Sequence, residues 1–246
     1  MQTIGDHVLY WSRTTPQAIA VSFGSHEYTY AQIATYVIGV THYLKSLDLR
    51  PRLLVAPVIE DRLLELILVI SLESLGAIRV VACGETSLYE KCDLVISDFD
   101  YTCNAKTLKL GSGLLQDLIN GSHIIESKYT FGYSPIPSDI CFISSTSGTT
   151  GEKKYFGESY ASSHAELELM RRLYFSGGQD SYVSLYSMSV GCAYKGCLLA
   201  LSSGAQIILS GIDDFLFCLE GKRAHAAVLV REIDHLMLKI PEPDLR

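Results

Sequence analysis

The sequence predicts an α/β fold of parallel sheets flanked by helices. Short apolar runs of strand length alternate with segments whose apolar residues recur every three or four positions. Leu53 to Val58 is continuously apolar, which suits a strand covered on both faces. Gly76 and Gly204 each stand just after a helical segment, where a left-handed residue ends a helix.

The elements follow in order. Ile19 to Phe23 reads as a strand, Gly24 and Ser25 as a turn, and His26 to Thr29 as the returning strand. Thr29 caps the next helix, in which Ile33, Tyr36, Val37, Val40 and Leu44 share one face. Pro51 closes that connection. Leu53 to Val58 is the next strand, Asp61 to Leu75 a helix stopped by Gly76, and Ile78 to Ala82 and Asp93 to Ser97 two more strands. Residues 99–138 mix polar and apolar runs and end in Ser134-Pro135-Ile136-Pro137-Ser138, the best candidate for a boundary. The chain is therefore expected to divide into subdomains 1–133 and 134–246. In the second, Asp139 to Ser144 is a strand, and Ser163 with Glu166 forms a capping box for a helix reaching Phe175. Tyr182 to Tyr186 is a strand and Ala193 to Leu201 a helix. Gln206 to Leu209 and Ala226 to Val230 are strands, and Arg231 to Lys239 is a last helix.

Composition narrows the function classes. The 246 residues are 48% hydrophobic and 19% charged, enough for a sizeable core and unlike a disordered chain. A positive mean hydropathy fits either a deep core or a surface built to pack against another polypeptide. The net charge of -7 and the lack of a Lys/Arg run argue against nucleic acid as a partner. The opening residues carry no basic start followed by an apolar run, so a secretory signal is not expected. The most apolar stretch, Leu63 to Leu72, holds Glu65 and is too short to span a bilayer. The seven cysteines form no Cys-x-x-Cys pair, so reduced thiols in a cytoplasmic protein are expected, with no metal ligands. His225 and His235 have no partner at ligand spacing, and Asp98 and Asp100 read as turn residues.

One segment carries chemistry: Ser144-Ser145-Thr146-Ser147-Gly148-Thr149-Thr150-Gly151-Glu152-Lys153-Lys154, directly after a predicted strand. Its glycines let successive N–H groups turn toward one point, its hydroxyls add donors, and lysine adds positive charge. Such a concavity suits a polyphosphate. By composition alone a plain surface loop is the commoner reading, and the Walker spacing does not occur.

The order of these residues resembles the phosphate-binding signature [ST]-S-G-[ST]-[ST]-G-x-P-K of adenylate-forming enzymes. That family includes acyl-CoA synthetases, aryl-acid ligases and the adenylation domains of peptide synthetases. Thr146 to Gly151 match position by position, Lys154 falls on the family's lysine, and Lys153 replaces the usual proline. Thr15-Pro16-Gln17-Ala18-Ile19-Ala20-Val21, Tyr28-Thr29-Tyr30 and Ser74-Leu75-Gly76-Ala77 resemble the family's opening strand, helix entry and helix-to-strand turn. Ser163-His164-Ala165 and Leu199 to Leu209 resemble two later stretches, so the likeness runs through most of the chain.

The resemblance implies part of a large N-terminal domain of an adenylate-forming ligase. It implies ATP with Mg2+ as cofactors, a carboxylic acid as substrate, and coenzyme A or a carrier-protein thiol as acceptor. Thr146, Ser147, Gly148, Thr149, Thr150, Gly151 and Lys154 would hold the ATP phosphates, stabilising charge without any covalent nucleophile. Where peptide synthetases place F-D-x-S, this chain has Tyr186-Ser187-Met188-Ser189, so Ser187, Met188 and Gly191 are the candidate substrate pocket. Ser187 in the aspartate's place favours an acid without an α-amino group, such as a fatty or aryl acid. An ordinary strand end is an equal reading of that stretch. The 246 residues stop before the family's adenine- and ribose-binding segments and its C-terminal domain with the catalytic lysine. No catalytic residue is therefore assigned. The chain is expected to be incomplete on its own, either a fragment or one of two chains with a separate partner supplying the rest. The alternative is a degenerate, non-catalytic relative that serves as an interaction protein.

Overall fold

The computed structural model describes residues 2–81, 86–111, 113–115, 117, 129–145, 154–174, 180–211, 214 and 224–226. Five α-helices and eleven strands lie among the described residues. The helices are α1 (Ile4–Thr14), α2 (Tyr30–Ser46), α3 (Arg62–Ser74), α4 (Tyr160–Tyr174) and α5 (Gly191–Ser203). The first six strands are β1 (Ile19–Phe23), β2 (His26–Thr29), β3 (Leu54–Val58), β4 (Ile78–Val81), β5 (Leu94–Ser97) and β6 (Thr107–Lys109). The other five are β7 (Ile140–Ser145), β8 (Tyr155–Ser159), β9 (Ser181–Ser184), β10 (Gln206–Leu209) and β11 (Ala224–Ala226).

The strands form two sheets. One has the order β11-β9-β10-β1-β2 and the other β6-β5-β3-β4-β7-β8. All pairs are parallel except the hairpins β1–β2 and β7–β8. The predicted mostly parallel α/β architecture is what the chain adopts. Each sheet draws strands from both sides of residue 134. The division of the chain at that point therefore does not coincide with a division between sheets. The proline-bearing stretch docks on the protein: Pro137 and Asp139 give their carbonyls to the N–H groups of Ala161 and Tyr160.

Helices fill the space between the sheets. α2 lies against β1 and β2, α3 against β3 and β4, and α1 packs on α2, α3 and α5. Every residue of α3 from Leu63 to Leu72 is buried, Glu65 and Ser71 included. A helix apolar on all sides belongs inside a protein, which accounts for the run too short for a bilayer. No described helix is long and apolar enough to cross a membrane.

Local signals act as predicted at several ends. Thr29 caps α2 in a reciprocal box with Gln32. Asp61, read from the sequence as the first residue of this helix, stands just before it and caps it, accepting from the Leu64 N–H at 2.8 Å. Gly204 ends α5 at φ +75°, a left-handed conformation that glycine adopts without a Cβ penalty. Asp98 fixes the turn into α3 by accepting from the N–H groups of Glu60 and Asp61.

Some expectations are corrected. Ser163 and Glu166 do not cap α4, which begins earlier, at Tyr160. Ser159 accepts from the Ser162 N–H at 3.2 Å instead. Ser163 and Glu166 both reach Lys195 of α5, each at 3.1 Å. A three-residue spacing puts two side chains on one helix face as readily as it makes a box, and packing selected the first. The strand expected at Tyr182 to Tyr186 ends at Ser184, where Arg62 takes the carbonyls of Ser184 and Tyr186. Helix α1, with its Thr3–Asp6 capping box, and strands β6 and β8 had no predicted counterpart. The helix expected at 231–239 and the strand residues 227–230 lie outside the described residues.

Candidate functional site

β7 ends at Ser145, at the carboxyl edge of the six-stranded sheet and directly before the Ser/Thr/Gly segment. In open α/β sheets ligands bind in crevices at that edge. Thr146, Ser147, Gly148, Thr149, Thr150 and Gly151 lie outside the described residues, but both ends of the loop are fixed. Ser145 pairs across the hairpin with Tyr155, the residue after Lys154. Ser144 and Ser145 are buried, and the Ser145 Oγ is a sealed hydroxyl without a hydrogen-bond partner. Lys154 is exposed.

The second group of candidates comes together after β9. The chain leaves the sheet at Ser184, turns through Ser187 and Met188, and enters α5 at Gly191. Val190, the residue before α5, gives no side-chain cap to the helix. Ser187 Oγ donates to Glu65 Oε1 at 2.6 Å and lies 2.8 Å from Ser189 Oγ. Met188 is 3% exposed; its N–H donates to Glu65 Oε2 at 3.0 Å, and its carbonyl accepts from Arg79 Nη1 at 2.9 Å. Arg62 holds the same segment from α3, reaching the carbonyls of Ser184 (2.9 Å), Tyr186 (2.6 Å) and, at the end of β10, Ser210 (2.6 Å).

These three charged residues were not singled out in the sequence. The available signal was a charge inside a strongly apolar run: Glu65 within Leu63 to Leu72, and Arg79 within Ile78 to Val81. Burial raises the Glu65 pKa; the Ser187 hydroxyl, the Met188 N–H, Arg79 and Arg62 oppose that rise. Burial lowers the Arg62 pKa. The Ser187 hydroxyl is thus backed by a carboxylate from α3, one hydrogen bond away.

Gly191 also lines a cavity of about 420 Å³ between α4, α5, β9 and β11. Met170, Tyr174, Tyr182, Cys192 and Leu199 supply much of its wall. Its charged members Lys195 and Glu166 are paired with each other, and Lys195 is also paired with Glu158. A larger cavity of about 570 Å³ opens between the β1–β2 turn and the first turn of α3, and its lining includes none of the candidate residues. No group of three or more His, Cys, Asp or Glu among the described residues is placed to hold a metal.

With this geometry in hand, solved structures supply a frame. FACL13 from Mycobacterium tuberculosis, solved as its N-terminal domain with an inhibitor, matches with TM-score 0.79 at 18% identity, over 100% of this chain and 69% of that one. The chain carries the fold of the N-terminal domain of adenylate-forming enzymes. The o-succinylbenzoate coenzyme A synthetase of Bacillus subtilis, in complex with AMP, matches with TM-score 0.77 at 14% identity, over 96% of this chain and 65% of that one. The N-terminal subdomain of NpsA from Klebsiella oxytoca, bound to anthranilyl-AMSN, matches with TM-score 0.67 at 21% identity, over 86% of this chain and 55% of that one. The chain thus spans between about half and two thirds of the length of these structures. No family model and no curated protein matches the sequence.

Proposed function

We propose that this chain is the N-terminal part of an ATP-dependent carboxylic acid ligase. The acid's carboxylate oxygen attacks the α-phosphorus of ATP, the bond to the β-phosphate oxygen breaks, and pyrophosphate leaves. A thiol of coenzyme A or of a carrier protein then displaces AMP from the acyl-adenylate, giving a thioester. What supports this reading is that β7 ends at Ser145, directly before the Ser/Thr/Gly segment and at the carboxyl edge of its sheet, in a fold shared with adenylate-forming enzymes.

In this reading Thr146 to Gly151 supply backbone and hydroxyl donors to the β- and γ-phosphates, and Lys154 neutralises part of their charge. Mg2+, where bound with the nucleotide, would supply further positive charge; no cluster of three or more His, Cys, Asp or Glu among the described residues is placed to hold it. Ser187, Met188 and Gly191 border the acid, whose body occupies the neighbouring cavity of about 420 Å³. That cavity's charges are already paired, so an uncharged fatty or aryl group suits it better than an ionic one. The adenine, the ribose and the catalytic lysine are assigned to polypeptide beyond this chain, whether in the same protein or in a separate partner chain.

The test is carboxylate-dependent exchange of labelled pyrophosphate into ATP, with a panel of fatty and aryl acids and the completing polypeptide supplied. Lys154→Ala is expected to lower the exchange rate about tenfold or more, the scale of losing one charge-assisted contact. Silence with every acid would overturn the ligase reading in favour of a non-catalytic interaction protein.

A further inference from the structure

We propose that Arg79, together with Glu65, is a positioning residue that holds the acid-side segment Tyr186 to Ser189 in fixed relation to the stem of the phosphate loop. The assignment rests on the reading just given for what those two edges hold. Arg79 sits in β4 beside Phe142 of β7, its register partner in the neighbouring parallel strand. Its guanidinium lies 4.6 Å from the centre of the Phe142 ring and 3.8 Å from that of Tyr194 in the first turn of α5. Its Nη1 donates to the Met188 carbonyl at 2.9 Å. One cation, 4% exposed, therefore touches the strand that presents the phosphate loop, the helix that walls the acid cavity, and the segment between them.

Glu65 completes the grip. It accepts the Met188 N–H at 3.0 Å, so this one peptide unit and its neighbour are held from α3 on one side and from β4 on the other. Glu65 also accepts the Ser187 hydroxyl, which fixes the side chain that borders the acid. Removing two opposite charges from water is unfavourable, and an apolar pair of equal volume would pack the same space without that loss. The charged pair adds direction instead: a guanidinium and a carboxylate accept only certain orientations of the peptides they bind. Displacement of the acid by as little as an ångström relative to the α-phosphate is enough to slow an in-line attack strongly.

The experiment has two readouts on Arg79→Met, Arg79→Lys and Glu65→Gln. The first is amide hydrogen exchange in the ligand-free chain. Arg79→Met is expected to speed exchange in both 141–145 and 185–190, and Glu65→Gln in 185–190 alone, with Leu66 to Ile70 of α3 unchanged. Arg79→Lys, which keeps a donor for Met188, restores part of the protection. The second is pyrophosphate exchange. Glu65→Gln is expected to raise KM for the acid about tenfold with KM for ATP within twofold, whereas Arg79→Met raises both. Exchange that rises uniformly through α3, or protection at both segments equal to wild type, would overturn the assignment. If the unmodified protein activates no acid, the ligase reading fails while the pattern of amide exchange still decides the positioning role. Should Arg79→Met not fold, Arg79→Lys and Glu65→Gln carry the test.

Discussion

Glu73 offers a quantitative check on the packing of α1 against α3. Its Oε1 accepts the Ile4 N–H at 3.1 Å, while its Oε2 is sealed and has no hydrogen-bond partner. Burial lifts its pKa from 4.5 to about 7; the Ile4 N–H, Arg79 and Lys195 pull it back, and Asp6 adds to the rise. The folded protein therefore holds this proton more tightly than the unfolded chain does. The resulting stability is fully present below the unfolded value of 4.5 and is lost as pH rises through about 7. At about 1.4 kcal/mol per pH unit the loss amounts to about 3 kcal/mol. Glu73→Gln keeps an acceptor for Ile4 and removes the ionisation. Urea unfolding at pH 5 and pH 8 should then show the variant overtaking the wild type at the higher pH by up to about 3 kcal/mol. At pH 5 the two should differ by less than about 1 kcal/mol. His7 titrates nearby with the opposite sign: burial lowers its pKa, so its contribution is present above 6.5 and is lost as pH falls. Comparing the variant with the wild type cancels that slope. Parallel stability curves from pH 5 to pH 8 would refute the claim that Glu73 is desolvated.

Two further perturbations probe the frame. A Cβ on Gly196 would stand 2.0 Å from the Tyr182 ring, whose hydroxyl is anchored on the Cys192 carbonyl at 2.9 Å. Gly196→Ala is expected to destabilise by about 1–3 kcal/mol, read as a fall in melting temperature; an unchanged Tm would show that α5 can move away from β9. Thr29→Ala removes the α2 cap, which accepts from Gln32 at 3.3 Å, and should reduce the unfolding free energy by about 1 kcal/mol. An effect below about 0.3 kcal/mol would mean that packing alone holds that helix end.

The elements legible in advance were those whose signal is local. Thr29, Asp61 and Gly204 act through neighbours a few residues away, and the buried face of α2 through the helix period. β8 escaped because it is a short edge strand, Tyr155-Phe156-Gly157-Glu158-Ser159, whose central glycine breaks any strand-like alternation. Ser163 was misjudged because its role depends on Lys195, which only the fold brings near. The site divides in the same way. The phosphate loop announces itself as a contiguous order of residues, whereas the grip on Met188 joins α3, β4 and the chain after β9. No spacing in the sequence records that meeting; the only trace is a charge where its surroundings are apolar.

The interleaving of the sheets has a consequence for how the protein is made. Val21 in β1 lies beside Ile207 in β10, so β1 waits for nearly all of the described residues to be synthesised before its parallel neighbour exists. Such long-range pairing slows folding and leaves sticky intermediates during synthesis. The nascent chain is therefore expected to depend on molecular chaperones, and its yield to respond to translation speed and temperature more than its final stability would indicate.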